Sequence, residues 1–202
     1  INSSSGVNVT SAIANFTIIS EPITNCSEIT LNDSGYYKLE ANLYGDSSNN
    51  FWCLSVGSNI ILDCDGHTID NSSIAIYLAN TENTTIRNCI ITNAIEGIYL
   101  WENDKYNIIT NNNISASMDG ISAWWGSSDN IFSNNNIVMN DYTSASIGCF
   151  ACNNTIINLI THNCKNLTFI NISICPRITD ESIINLTKTC LSLQTLDISN
   201  NS

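Results

Sequence analysis

Short Ile-rich segments recur along this chain every 23 or 24 residues, and that self-similarity limits the possible folds more than any other feature. Residues 83–91, 107–114, 130–137 and 154–158 align so that Ile86, Ile109, Phe132 and Ile156 share one register. Asn88, Asn111, Asn134 and Asn158 share another, and an earlier copy runs over 59–69. A second signal recurs between these blocks as Ala75-Ile76-Tyr77-Leu78, Gly97-Ile98-Tyr99-Leu100 and Gly120-Ile121-Ser122-Ala123.

Each apolar run is too short for a helix and is interrupted by Asn, Asp or Gly. A unit of this length makes one coil of two or three short strands. Stacked coils then pair each strand, in parallel, with its copies about 4.8 Å above and below. The in-register Asn88, Asn111, Asn134 and Asn158 are expected at the bends, because Asn tolerates the left-handed region. Stacked copies of Asn are also expected to bond to one another as an amide ladder. The expected fold is all-β: a right-handed parallel β-helix with coils of about 23 residues.

A length of 202 residues suits one domain or one extended solenoid, and 43% hydrophobic residues suffice for a core. Only 6 Lys and Arg stand against 18 Asp and Glu, for a net charge of -12, which excludes a nucleic-acid partner because nothing would neutralise the phosphates. No apolar run is long enough to span a bilayer. The chain begins at Ile1, as a secreted protein would after leader removal, so a secreted, cell-surface location is expected. Asn-X-Ser/Thr acceptors for N-glycans stand at Asn2, Asn8, Asn15, Asn25, Asn32, Asn71, Asn83, Asn113, Asn153, Asn166, Asn171, Asn185 and Asn200. Chance supplies part of this set in so Asn-rich a chain. Nine cysteines read as disulfides in that compartment, with the odd one left as a thiol or paired between molecules. Cys149 and Cys152 have CxxC spacing but no second pair and only His162 nearby, which disfavours zinc.

The β-helix is expected over 26–163, and from about Cys26 to Asn158 the chain resembles the NosD-like and pectate-lyase-like β-helix repeat families of surface proteins, most clearly at 34–39 and 59–69. Residues 164–202 differ. There, 164–173 recurs as 190–199, with Cys175-Pro176 and a short amphipathic helix over 181–188 between the copies. This segment resembles a cysteine-containing leucine-rich repeat, a strand-helix unit able to continue the β-helix sheet. Residues 1–25 read as a β-prone cap, or as an arm reaching a neighbour.

The densest chemical cluster is Asp63, Asp65 and His67 with Asp70 close by, where alternate strand residues would present paired carboxylates. The pectate-lyase-like resemblance implies Ca²⁺-binding acids with a basic partner, but Lys38, Arg87, Lys105, Lys165, Arg177 and Lys188 look scattered. The cluster is therefore read as a structural turn, and His67 as a turn residue rather than a ligand. No catalytic residue, cofactor or metal site is assigned. Trp101 and Trp124 lie 23 residues apart, one coil, with Trp125 adjacent, and are candidate contacts for an external carbohydrate. The expected function is that of a structural, non-enzymatic glycoprotein that self-associates head to tail through open solenoid ends. A carbohydrate-binding adhesin and a β-helix polysaccharide lyase or hydrolase are the alternatives.

Overall fold

A computed structural model describes residues 16–19, 26, 29–32, 34–48, 52–139, 147–149, 154–157, 160–162, 169–171, 177–178, 184 and 195–197. Among them, every strand pairing is parallel. The eight-stranded sheet runs β1 (Phe16–Ile19), β3 (Gly35–Leu39), β6 (Ile60–Asp63), β9 (Thr85–Arg87), β11 (Ile108–Thr110), β13 (Ile131–Ser133), β16 (Thr155–Ile157) and β19 (Arg177–Ile178). The ten-stranded sheet holds β2 (Ile29–Leu31), β4 (Leu43–Tyr44), β5 (Trp52–Val56), β7 (Thr68–Asp70), β8 (Ile74–Leu78), β10 (Ile90–Leu100), β12 (Asn113–Ala123), β14 (Asn136–Met139), β15 (Ile147–Cys149) and β17 (Ile160–His162). A third, two-stranded sheet pairs β18 (Phe169–Asn171) with β20 (Thr195–Asp197). The chain is thus a parallel β-solenoid whose coils repeat at the spacing the sequence shows.

The core follows from that register. Leu62, Ile86, Ile109 and Phe132 are successive Cα partners, each at most 2% exposed. On the other sheet Ile69, Ile91, Ile114 and Ile137 form a second buried column, and Leu54, Ile76, Ile98 and Ile121 a third. Full burial of each such side chain is worth roughly 1.5–3 kcal/mol. Gly97 and Gly120 lie one coil apart where no Cβ fits: at Gly97 it would strike the Gly120 carbonyl and Ile114, at Gly120 the Ile137 side chain.

The corners are left-handed, as the asparagine register predicts. Asn88, Asn111 and Asn134 have φ of 56°, 56° and 54°, while Asn158 lies outside the described residues. A further left-handed column runs through Asn83, Tyr106 and Asp129 at 58°, 57° and 58°. The amide ladder is carried by other residues than the bend asparagines. The side-chain carbonyls of Asn107, Asn130 and Asn154 accept from the amides of Thr84, Asn107 and Asn130 in turn. Those of Asn112 and Asn135 accept from Cys89 and Asn112. Each of these five also donates to a backbone carbonyl, and all are buried. A bend residue in the left-handed region turns its side chain outward, so the column one residue later faces inward and must satisfy the buried corner backbone.

Two disulfides, Cys26–Cys53 and Cys64–Cys89, join positions 27 and 25 residues apart, adjacent coils in each case. Strand β1 pairs with β3 of the same chain and heads the eight-stranded sheet. Toward the other end, β19 extends that sheet from β16, and β18 pairs with β20 as Ile170 against Leu196, the 26-residue offset seen in the sequence. The helix expected over 181–188 lies outside the described residues apart from Ile184.

Candidate functional site

Tyr77 on β8 and Tyr99 on β10 are Cα partners between buried neighbours, Ile76 and Leu78 on one strand and Ile98 and Leu100 on the other. Strand alternation therefore sends both rings to the outer face. There they join three tryptophans in one continuous ladder. Trp52 stacks on Tyr77 at 4.8 Å between centroids, Tyr77 meets Tyr99 at 6.2 Å, Tyr99 meets Trp101 at 5.6 Å, and Trp101 meets Trp125 at 6.1 Å. Trp52 registers with Ile74, upstream of Tyr77, and Trp125 lies downstream of Trp101, so the ladder crosses the coils obliquely. Exposure grows along it, reaching 37% at Trp101 and 65% at Trp125.

Trp124 is placed differently from Trp125. Its amide donates to the Leu100 carbonyl, so its backbone continues the stack one coil after Trp101, and its side chain is half-buried. At Trp125 φ is 45° and at Gly126 84°, and this turn brings Trp125 to Trp101. Spacing alone pairs Trp101 with Trp124; the ring contact is with Trp125. Trp52, Tyr77 and Tyr99 were the missed members, although Tyr77 and Tyr99 occupy the same place in the second repeat signal.

Carboxylates border the ladder. Glu96 and Asp119 are Cα partners on β10 and β12, in the column that also holds Trp52 and Ile74. Burial, then the Asp119 charge, push the Glu96 carboxyl up to about 7, and its Oε2 is buried without a hydrogen bond. Burial, then Glu96 and Asp119, drive the Tyr99 phenol far above its ordinary value. Tyr77 is raised by burial, then by Asp104 and Glu102. Asp104 is buried and accepts from the Thr81 amide and hydroxyl, both at 2.8 Å, whereas Glu102 is exposed next to Trp101. The repeated Glu96-Gly97 and Asp119-Gly120 pairs are the sequence signal for this acidic border.

The Asp63 cluster resolves into structural bonds, with Asp63 on the eight-stranded sheet and Asp70 on β7 of the ten-stranded sheet. Asp63 accepts from the Tyr36 hydroxyl, the Asp65 amide, Arg87 Nε and Asn88 Nδ2, at 2.8–3.0 Å. Burial raises its pKa, but the bonds from Asn88, Asp65, Tyr36 and Arg87 outweigh that and hold the carboxyl below the usual range. Asp65 instead pairs with Lys38 at 2.8 Å, His67 Nδ1 lies 3.0 Å from the Cys64 carbonyl, and Asp70 accepts from Thr92 and Asn93. Two basic residues that look scattered in the sequence are brought together here, since Lys38, Asp63 and Arg87 are successive register partners. Among the described residues no group of three His, Cys, Asp or Glu is arranged to hold a metal ion.

Of the glycan acceptors, Asn32, Asn71, Asn83 and Asn113 have described side chains, and all four are exposed. Asn171 is described only as backbone in β18; Asn2, Asn8, Asn15, Asn25, Asn153, Asn166, Asn185 and Asn200 lie outside the described residues, as does His162's side chain.

Parallel coils, inward aliphatic columns and left-handed corners define a β-solenoid. The chain belongs to the family described as the right-handed β-helix region, which matches residues 1–114 and 58–202. No curated protein and no solved structure matches it. Family membership fixes the fold and is compatible with an extracellular place; it does not select an activity.

Proposed function

We propose that this protein is a secreted, N-glycosylated β-helix of the cell surface or extracellular matrix that binds carbohydrate along its aromatic ladder. The observation that carries this reading is the run of contacts from Trp52 to Trp125, with Trp101 and Trp125 the most exposed. The exposed Trp101 and Trp125 rings, tilted by 59° to one another, offer apolar surface to neighbouring sugar units, and the exposed Glu102 beside Trp101 offers a hydrogen-bond acceptor. The role is binding rather than turnover: Asp63, Asp65 and Asp70 are engaged in structural bonds, which speaks against the lyase alternative. The two intercoil disulfides and the exposed Asn32, Asn71, Asn83 and Asn113 support the secreted, glycosylated state.

The test is affinity electrophoresis against a panel of polysaccharides. A Trp101→Ala, Trp125→Ala double variant is expected to bind at least about tenfold more weakly with its thermal melt unchanged. Trp124→Ala is expected to lose less. Wild-type protein retarded by no polysaccharide would remove the reading.

Head-to-tail self-association is the second reading, motivated by the exclusively parallel coil-on-coil pairing: any uncovered coil presents a free strand edge. The leucine-rich continuation over 164–202 belongs to the same proposal, with the 26-residue offset of β18 and β20 as its support. Sedimentation velocity over a hundredfold concentration range decides it, since a concentration-independent monomer leaves no place for a polymer.

A further inference from the structure

The corner that leads from β8 into β9, with its copies in the neighbouring coils, holds one left-handed residue per coil. Asn59, Asn83, Tyr106 and Asp129 have φ of 59°, 58°, 57° and 58° there. Asn and Asp suit that conformation, because their short polar side chains bond locally. Tyr106 is the exception, a bulky residue held where bulky residues are strained. It gains no burial in return, since it is 56% exposed. Among the described residues no hydrogen bond or ring contact engages its side chain. A strained, solvent-facing ring of this kind calls for a use outside the core.

Asn83 stands one coil before it. Glu82 and Lys105 are bridge partners, and the Asn83 amide donates to the Lys105 carbonyl at 3.2 Å. Asn83 opens the acceptor Asn83-Thr84-Thr85 and is exposed, and among the described residues its side chain makes no hydrogen bond. Two residues in one register with the same φ project their side chains in parallel, about 4.8 Å apart. A sugar joined to Asn83 Nδ2 therefore leaves the corner beside the phenol ring, where its C–H face gains an apolar contact. The other described acceptors lack such a neighbour: one coil on stand Gly57 for Asn32, Asn93 for Asn71 and Asn136 for Asn113.

We infer that Tyr106 is the platform for the first N-acetylglucosamine of a glycan on Asn83, which makes that glycan a structural part of the corner. This rests on the N-glycosylated state proposed above and names the acceptor whose sugar the fold engages.

The experiment uses the full chain secreted from a eukaryotic host that adds mannose-rich glycans. Glycopeptide mass spectrometry first reads Asn83, which is expected to carry N-acetylglucosamine; an unmodified Asn83 overturns the inference together with the glycosylation reading at that acceptor. Thermal melts then compare Asn83→Gln in three backgrounds. The loss is expected to be about 2–4 °C with Tyr106 present and at most about 1 °C in Tyr106→Ala and in Tyr106→Asn. Tyr106→Asn restores the residue type that fills this corner at Asn59 and Asn83, so it keeps the test free of corner strain. Trimming with an endoglycosidase that leaves a single N-acetylglucosamine should preserve the difference between backgrounds, and Asn113→Gln should show no dependence on Tyr106. In protein carrying carbon-13-labelled glycans, the ring protons of the Asn83-linked sugar should lie upfield, returning to ordinary values in Tyr106→Ala but not in Tyr106→Phe. An equal loss in all three backgrounds on an occupied Asn83 overturns the Tyr106 contact and leaves glycosylation standing. A difference abolished by trimming also overturns it, since the contact would then lie beyond the first sugar.

Discussion

Asn111, Asn112 and Asn113 are consecutive, yet each has a different task, and Asn134, Asn135 and Asn136 repeat the division one coil on. The first takes the left-handed corner, the second is buried in the ladder, and the third sits on a strand, exposed at Asn113 and half-buried at Asn136. Asn112 accepts from the Cys89 amide and donates to the Ile86 carbonyl and the Asn135 side chain. Asn112→Ala is therefore expected to cost about 2–4 kcal/mol, because two buried backbone groups lose their partner. Asn111→Gly should change stability little, since glycine adopts the same corner without strain. Urea titration of both variants checks the contrast. Glu96 shows the opposite economy, a carboxyl kept in a place that suits its neutral form. Its folded pKa of about 7 lies above the ordinary 4.5 of a glutamate, so the folded state holds the proton more tightly. Stability should consequently fall as pH rises through the interval between those values. Glu96→Gln should flatten that decline and raise stability at pH 8 by about 1 kcal/mol after discounting for partial exposure, roughly 2–4 °C in Tm. A melt series from pH 4 to 9 reads it directly, and an unchanged profile would refute the assignment.

Each coil is held to the next by a device chosen from a small set, and one column uses two of them. Cys64 and Cys89 are disulfide-linked, and the position that Cys89 occupies is taken in the next coils by Asn112 and Asn135. A covalent bond and a buried amide thus perform the same task, tying corner to corner. They differ in what they do to the unfolded chain. The disulfide closes a loop of 25 residues and restricts the denatured ensemble, worth about 3.5 kcal/mol on the chain-entropy account. The Cys64→Ala, Cys89→Ala double variant should lose an amount of that order, as should reduction of this bond, whereas the amide ladder should survive reduction. Denaturant midpoints with and without reductant distinguish the two. Gly97 and Gly120 mark the other limit of the design, where coils approach so closely that the side chain must vanish.

At the scale of the molecule, two sheets with different outer faces enclose the same aliphatic columns. The eight-stranded sheet presents the Lys38–Asp63–Arg87 column, and the ten-stranded sheet the aromatic ladder with its acidic border. The solenoid was legible in the sequence because a coil repeat forces like residues into like environments: Leu62, Ile86, Ile109 and Phe132 can be lined up by counting. The candidate site was only partly legible. Counting 23 residues from Trp101 lands on Trp124, whereas the ring it touches belongs to Trp125, because a left-handed residue at the corner rotates the chain. Counting also gives no sign that Trp52 leans along its strand to reach Tyr77, or that Lys38 and Arg87 flank Asp63.

The sequence by itself determined the period, the parallel stacking, the inward columns and the left-handed asparagine corners, since each depends on residue type at a fixed phase. The tertiary structure decided which asparagines face inward, which cysteines are joined, and which aromatic rings and carboxylates share a surface. Those outcomes depend on corner geometry and on small offsets between neighbouring coils, and a repeat read along one chain carries phase but not the direction in which each side chain finally points.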